Sequence, residues 1–342
     1  MVQIFITLEN MKTYLNKVNY MKYINGTWIE IHHFNIKEGK YFNPVCHEFS
    51  DEQWKEKIRE LASLNMKYIV LMGVAITNKE DYTEVFYPSK HFKKWDEIKA
   101  NDPVDAILSE ANKYNMKVFV GAGTFGYWAD VYNNMTSLLV HQKTITIMKE
   151  LYELYGHYDS FYGWYYPDET GILGHFENEF IDYVNSKTNF SKTLNPNLKT
   201  IIAPYGTNHI EFDELFIEQL KSLEVDFVAY QDEVGVRKSS EYETHNYYKQ
   251  LKEVHSKANK SKLWADVEIF EFEGDVYKSA LLPSNVERLK IQLEEISEYV
   301  DEILVFQYQG MMNMPATTAF CGHPDSIKFY NDYKSLINNK KD

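Results

Sequence analysis

The chain has 342 residues, 44% of them hydrophobic, enough for one large domain with a substantial core. Its formal net charge of −14 opposes a nucleic-acid or anionic-membrane partner, since both call for a basic patch. With only Arg59, Arg237 and Arg288, bidentate clamping of phosphate or carboxylate groups has little support. Two cysteines, Cys46 and Cys321, argue against a disulfide framework.

In chain order, residues 1–20 are weakly patterned and read as a short N-terminal extension. GTWIEIHHF (26–34) reads as a first strand. After a polar loop, Ser50 is an N-cap candidate for a helix with Trp54, Ile58, Leu61 and Leu64 at helical spacing. KYIVLMGVAI (67–76) is a continuous apolar run, as expected of a strand buried on both faces. A long polar and aromatic insert, 77–101, precedes a helix with Asp102 at the N-cap and Pro103 at the first helical position.

Further strands follow at 117–125, 161–169, 199–206, 225–235, 262–272 and 302–310, alternating with helical stretches. No Gly/Ser/Pro-rich linker interrupts the series. The expected fold is α/β: a single (β/α)₈ TIM barrel over 21–338, the catalytic domain, with long βα loops after strands one to three. In such a barrel those loops lie on the catalytic face, where extra length builds a cleft wall or lid.

Two of these strands end in carboxylates. FYGWYYPDE stops at Asp168 and Glu169, and KLWADVEIFEF carries Asp266 and Glu268. They belong to the fourth and seventh strands, and a carboxyl pair across a barrel rim can cleave a glycosidic bond. One carboxyl protonates the leaving oxygen while the other, ionised, attacks the anomeric carbon or activates water.

Glu169 suits the acid, because the aromatic run before it raises a carboxyl pKa by desolvation; Asp168 is the alternative, since either side chain could turn inward. Glu268 lies among apolar neighbours, and an ionisable group inside a barrel strand is costly unless paired or functional. Candidate substrate contacts are Trp28, Glu30 and His32 on strand one, with Asp168, Tyr205, Gln231, Asp232 and Tyr308 at other strand ends. Aromatic faces stack on sugars, while amides and carboxylates meet hydroxyls.

The layout resembles the retaining glycosidases of the large barrel clan A, which place the acid/base after strand four and the nucleophile on strand seven. One departure is Asp168, which stands where an asparagine usually contacts the sugar 2-hydroxyl. The segment from Gly26 to about Tyr330 also resembles a bacterial family, number 4434 among domains of unknown function, regarded as glycosidase-like barrels. The stretches that carry this are GTWIEIHHFN, YIVLMGV, YPSK (87–90), DPVDAILSEANKYNMKVFVG, FYGWYYPDE, APYG and VAYQDEVGV. The resemblance implies a barrel with Glu169 in a catalytic place and supplies no substrate.

Other patterns carry less. GAGTFG (121–126) matches G-x-G-x-x-G after a strand, but no helix opens within it, so dinucleotide binding is not expected. His32 and His33 are adjacent on a strand and cannot both ligate one ion; His32 is expected to face the barrel interior. Cys46-His47 and Cys321 near His323 lack a paired zinc spacing. Sequons at Asn25, Asn134 and Asn189 are chance matches if the protein is bacterial and cytoplasmic.

The expected activity is therefore that of a glycoside hydrolase acting, with retention, on a neutral or weakly charged oligo- or polysaccharide, without metal or organic cofactor. The alternatives are a non-catalytic carbohydrate-binding barrel and a metal-dependent barrel hydrolase or isomerase using His32, Asp232 and Glu268. MVQIFITLENMK lacks a basic segment followed by a long apolar run, and no stretch reaches the roughly 20 apolar residues of a membrane span. The expected location is cytoplasmic, with secretion only if a leader has been removed. Oligomeric state is not legible in the chain.

Overall fold

The computed structural model describes residues 21–338, so the N-terminal extension expected at 1–20 lies outside the described residues. Eight parallel strands close into a barrel: β1 (Gly26–Ile29), β2 (Tyr68–Leu71), β3 (Lys117–Gly121), β4 (Phe161–Tyr165), β5 (Lys199–Ile202), β6 (Phe227–Gln231), β7 (Lys262–Glu268) and β8 (Glu302–Phe306). Each bonds to the next, and β8 closes on β1 through the pairs Gly26–Leu304 and Thr27–Val305. Crossover helices follow the strands in turn: α1 (Asp51–Ser63), α2 (Pro103–Lys113), α3 (Leu138–Tyr155), α4 (Asn178–Leu194), α5 (Glu214–Ser222), α6 (Thr244–Ala258), α7 (Val286–Ile296) and α8 (Asp325–Asn338).

Local signals explain where the helices begin. Ser50 and Gln53 form a reciprocal capping box, each side chain accepting from the other's backbone N–H, and α1 then buries Trp54, Ile58 and Leu61 against the barrel. Asp102 accepts from Asp105 N at 2.9 Å, and Pro103 occupies the first turn of α2, where its missing N–H is no loss.

Strand alternation sorts side chains between two cores. Outward residues such as Ile69, Val118, Val228 and Ile303 join the layer under the helices. Inward, every strand contributes to a packed inner core, with Trp28, Phe119, Tyr165 and Trp264 among its members. Large meets small there, as where Trp264 of β7 lies beside Ala229 of β6. At Gly163 of β4 a Cβ would fall 1.8 Å from the Lys199 carbonyl oxygen, so only glycine admits β5 so closely.

The structural strands are shorter than the apolar runs that mark them. Pairing around the barrel stops at the rim, and the remaining β-prone residues pair elsewhere. Ala75–Thr77, Thr83–Val85 and Lys93–Lys94 form a small three-stranded sheet from the β2–α2 insert. Phe270–Phe272 pairs antiparallel with Leu281–Pro283 beyond β7. Among the described residues no helix is long and apolar enough to cross a membrane.

Candidate active site

A cavity of about 610 Å³ opens at the C-terminal barrel rim, within the ~300–1,000 Å³ usual for small-molecule sites. Six carboxylates line it: Glu30, Glu38, Glu169, Glu233, Asp266 and Glu268. Aromatic walls come from Trp128, Tyr205 and Tyr277 on loops and from Phe306 at the end of β8.

The β7 alternation that turns Trp264 inward also turns Asp266 and Glu268 inward, one and two layers higher. Asp266 is opposite Gln231 of β6. Gln231 Nε2 donates to Glu169 Oε2 at 2.7 Å and to the Ala203 carbonyl at 3.0 Å, while Tyr165 Oη donates to Glu169 Oε1. Both oxygens of Glu169 are therefore held from within the barrel.

Burial raises all three carboxyls. For Glu169 it outweighs the hydrogen bonds from Tyr165 and Gln231 and lifts the pKa to about 7. Asp266 is pushed well above the usual carboxylate range by burial and then by the charges of Glu169, Glu268 and Asp232; its Oδ1 is buried without a hydrogen-bond partner. Glu268 is raised by burial and by Asp232, opposed by the Val236 N–H, which donates to Oε2 at 2.8 Å, and by the nearby Arg288 guanidinium.

On the β1 side, His33 Nδ1 donates to Glu30 Oε2 at 2.7 Å and Nε2 to Glu38 Oε2 at 3.0 Å. Burial opposes protonation, but the two carboxylates prevail and raise His33 to about 10, so it is an imidazolium at neutral pH. Gln307 Nε2 also donates to Glu30 Oε2 at 2.9 Å, leaving Oε1 buried and unpartnered. Beyond β6, Glu233 accepts from Gly206 N at 3.0 Å and pairs with Lys238 Nζ at 3.1 Å.

Of the residues expected from sequence, Glu169, Glu268, Glu30, Tyr205 and Gln231 share this cavity. Five others do not line it. Trp28 lies in the packed layer inside the barrel, edge-on to Tyr165 at 5.9 Å, because inward positions deep in a strand fill the core. His32 turns away: the backbone bends after Glu30, so alternation ends and His33 takes the inward place. His32 Nδ1 instead lies 3.0 Å from His47 Nε2, and burial with neighbouring His47 lowers its pKa to about 3.

Asp168 is buried on the other side of its loop, accepting from Thr124 N at 3.0 Å and from Tyr183 Oη at 2.5 Å. Asp232 follows inward Gln231 and so points outward, where it accepts from Gln292 Nε2 at 2.7 Å and Glu268 N at 3.1 Å. Tyr308 lies past the end of β8 and donates from Oη to Glu60 of α1 at 2.6 Å. Sequence reasoning passed over His33, Glu38, Lys238, Trp128 and Tyr277; all but His33 belong to loops whose course no periodicity reveals.

The other patterns have structural roles. A Cβ on Gly121 would meet the Met72 carbonyl at 2.0 Å, and one on Gly123 would meet Asp168 Oδ2 at 2.3 Å, so these glycines of GAGTFG permit close packing at the rim. Cys46 and Cys321 are both buried and free. Asp232 adjoins Glu268, but His32 lies apart with His47 and the three form no metal-donor cluster; among the described residues the only cluster with metal-donor spacing is His175, Glu211 and Asp213, none of which lines the cavity.

The family model described as a domain of unknown function, DUF4434, matches residues 24–319. The chain belongs to the DUF4434 family. No curated protein sequence matches it. Among solved structures, this DUF4434 barrel resembles a Bacteroides thetaiotaomicron protein provisionally assigned as an α-L-fucosidase, with 18% identity, a TM-score of 0.70, and coverage of 94% of this chain and 96% of that one. It also resembles the endo-1,4-β-mannanase of Rhizomucor miehei (10% identity, TM-score 0.55, 93% and 95% covered) and an endo-β-1,4-mannanase of Thermotoga petrophila (10%, 0.57, 95% and 79%). At these identities the likeness is one of fold.

Proposed function

We propose that this DUF4434 barrel is a glycoside hydrolase with Glu169 as acid/base and Glu268 as the second, ionised carboxylate. The observation that carries this is the shared cavity: a carboxyl at the end of β4 with a pKa near 7 opens onto the same space as a carboxyl on β7. The names of the structural neighbours, a provisional fucosidase and two mannanases, agree with a carbohydrate substrate.

Glu169 gives its proton to the glycosidic oxygen while Tyr165 and Gln231 hold its orientation. Both β7 carboxyls are raised by burial, and Glu268 is the better placed of the two to carry the negative charge, because it receives the Val236 N–H and lies near Arg288, whereas Asp266 Oδ1 has no donor. Glu268 then attacks the anomeric carbon, and Glu169, now a base, activates the water that releases the sugar with retained configuration.

The test is hydrolysis of a glycan and aryl-glycoside panel by wild type, Glu169→Gln and Glu268→Gln. Activity that falls by about 10²–10⁴ in either variant supports the assignment. Activity surviving Glu268→Gln moves the second carboxylate to Asp266. Inverted product configuration by NMR removes the covalent step, and glycan binding without turnover in any form makes the barrel a carbohydrate-binding protein.

A further inference from the structure

Two carboxylates suffice for the proposed cleavage, yet the cavity holds six against two cationic side chains, His33 and Lys238, and no arginine. Both cations are already engaged: His33 lies between Glu30 and Glu38, and Lys238 meets Glu233. Glu169, Asp266 and Glu268 therefore share the inner cavity with no cationic side chain bonded to any of their carboxyl groups; Arg288, which lies outside the cavity lining, reaches Glu268 only at its backbone carbonyl, at 2.9 Å. Two oxygens there, Asp266 Oδ1 and Glu30 Oε1, are buried without a partner, on residues 2% and 1% exposed. Buried polar atoms are ordinarily satisfied, so each of these two oxygens is open to a donor from a bound molecule.

Building on the sugar-cleaving reading of this cavity, we propose that it selects a glycoside carrying a free, protonated amino group, an unacetylated amino sugar whose N–H and O–H donors meet the free oxygens of Asp266 and Glu30. A neutral hydroxyl can satisfy an orphaned oxygen, but it brings no positive charge that would let Asp266 ionise among its neighbouring carboxyls. An ammonium group does both. An N-acetyl group removes the charge, and a uronic acid or sulfated sugar adds repulsion. Because burial and neighbouring carboxylates hold a proton on Asp266 in the empty site, seating an ammonium there expels it.

The experiment is calorimetric binding of glucosamine, galactosamine and mannosamine, each compared with its N-acetyl derivative and its neutral hexose, to wild-type protein under slightly acidic conditions. At least one free amine should bind about tenfold more tightly than both counterparts, the size expected of one charge-assisted hydrogen bond. Its binding should release protons, seen as a heat that changes with the ionisation enthalpy of the buffer. Asp266→Asn should abolish the preference and the release; Glu30→Gln, a second near-isosteric change, should weaken the preference.

Equal binding of amine and neutral sugar, tighter binding of the N-acetyl form, or no binding by any of the three amines overturns the proposal. Binding is read without turnover. An amine preference with no hydrolysis of the matching aryl glycoside would therefore defeat the hydrolase reading and leave the amino-sugar site standing.

Discussion

Gln231 of β6 donates to Glu169 beyond β4 at 2.7 Å and is itself held on the Ala203 carbonyl at 3.0 Å. One amide thus uses both donors of its NH₂ group, one to fix its own position and one to fix a carboxyl that no strand carries directly. Gln231→Ala should lower kcat by about tenfold or more through looser orientation, with a smaller effect on KM. Loss of a bond that favours the ionised form should also raise the Glu169 pKa, moving the alkaline limb of the kcat/KM profile upward. A rate loss with an unmoved limb would assign Gln231 to substrate contact alone.

The raised pKa of Glu169 also predicts how stability changes with pH. Its carboxyl titrates at about 7 in the folded chain against 4.5 for the unperturbed group, so the folded state retains a proton the unfolded state has lost. The stabilisation from that proton is fully present below about pH 4.5 and disappears as pH rises through 7. Glu169→Gln mimics the protonated form at every pH. Its melting temperature relative to wild type should therefore climb between pH 4.5 and above 7, which differential scanning fluorimetry across that window would record. A flat difference would mean that the carboxyl titrates normally.

Away from the cavity, Lys57 Nζ lies 3.1 Å from Glu60 Oε2, both side chains almost wholly buried, and 2.7 Å from Asn313 Oδ1. Glu60 also accepts from Tyr308 Oη and Met314 N, tying α1 to the chain beyond β8. Lys57→Met should destabilise the fold by about 3–5 kcal/mol, because it strands a buried charge. Adding Glu60→Gln should recover a large part of that loss. Urea denaturation with an unchanged m-value is the readout, and additive losses in the double variant would show that the pair is uncoupled.

Several features of this molecule are legible residue by residue. The runs around Val70, Phe119 and Trp264 read as strands, the first as one buried on both faces, and all three are parts of one closed sheet. Ser50 and Asp102 announce helix starts through capping chemistry that acts within four residues. Alternation places Glu30, Asp266 and Glu268 on the inward face because each lies on, or one residue beyond, a paired strand. The same rule fails for His32, where the chain has already bent, and it makes Trp28 a core residue because inward is not the same as accessible.

The sequence favours Glu169 as the acid but leaves open which of Asp168 and Glu169 turns inward. Thr124, Tyr183 and Lys187 draw the first away from the cavity, and Tyr165 with Gln231 draws the second toward it; all but Tyr165 are distant in the chain. The chain by itself determines the barrel, since period-two burial, apolar runs and helix caps are short-range effects repeated eight times. Only the tertiary structure decides which carboxyls meet, which keep their protons and which stand unpartnered. Those outcomes depend on burial and on charges brought together by barrel closure, and electrostatic energy follows distance in space rather than distance along the chain.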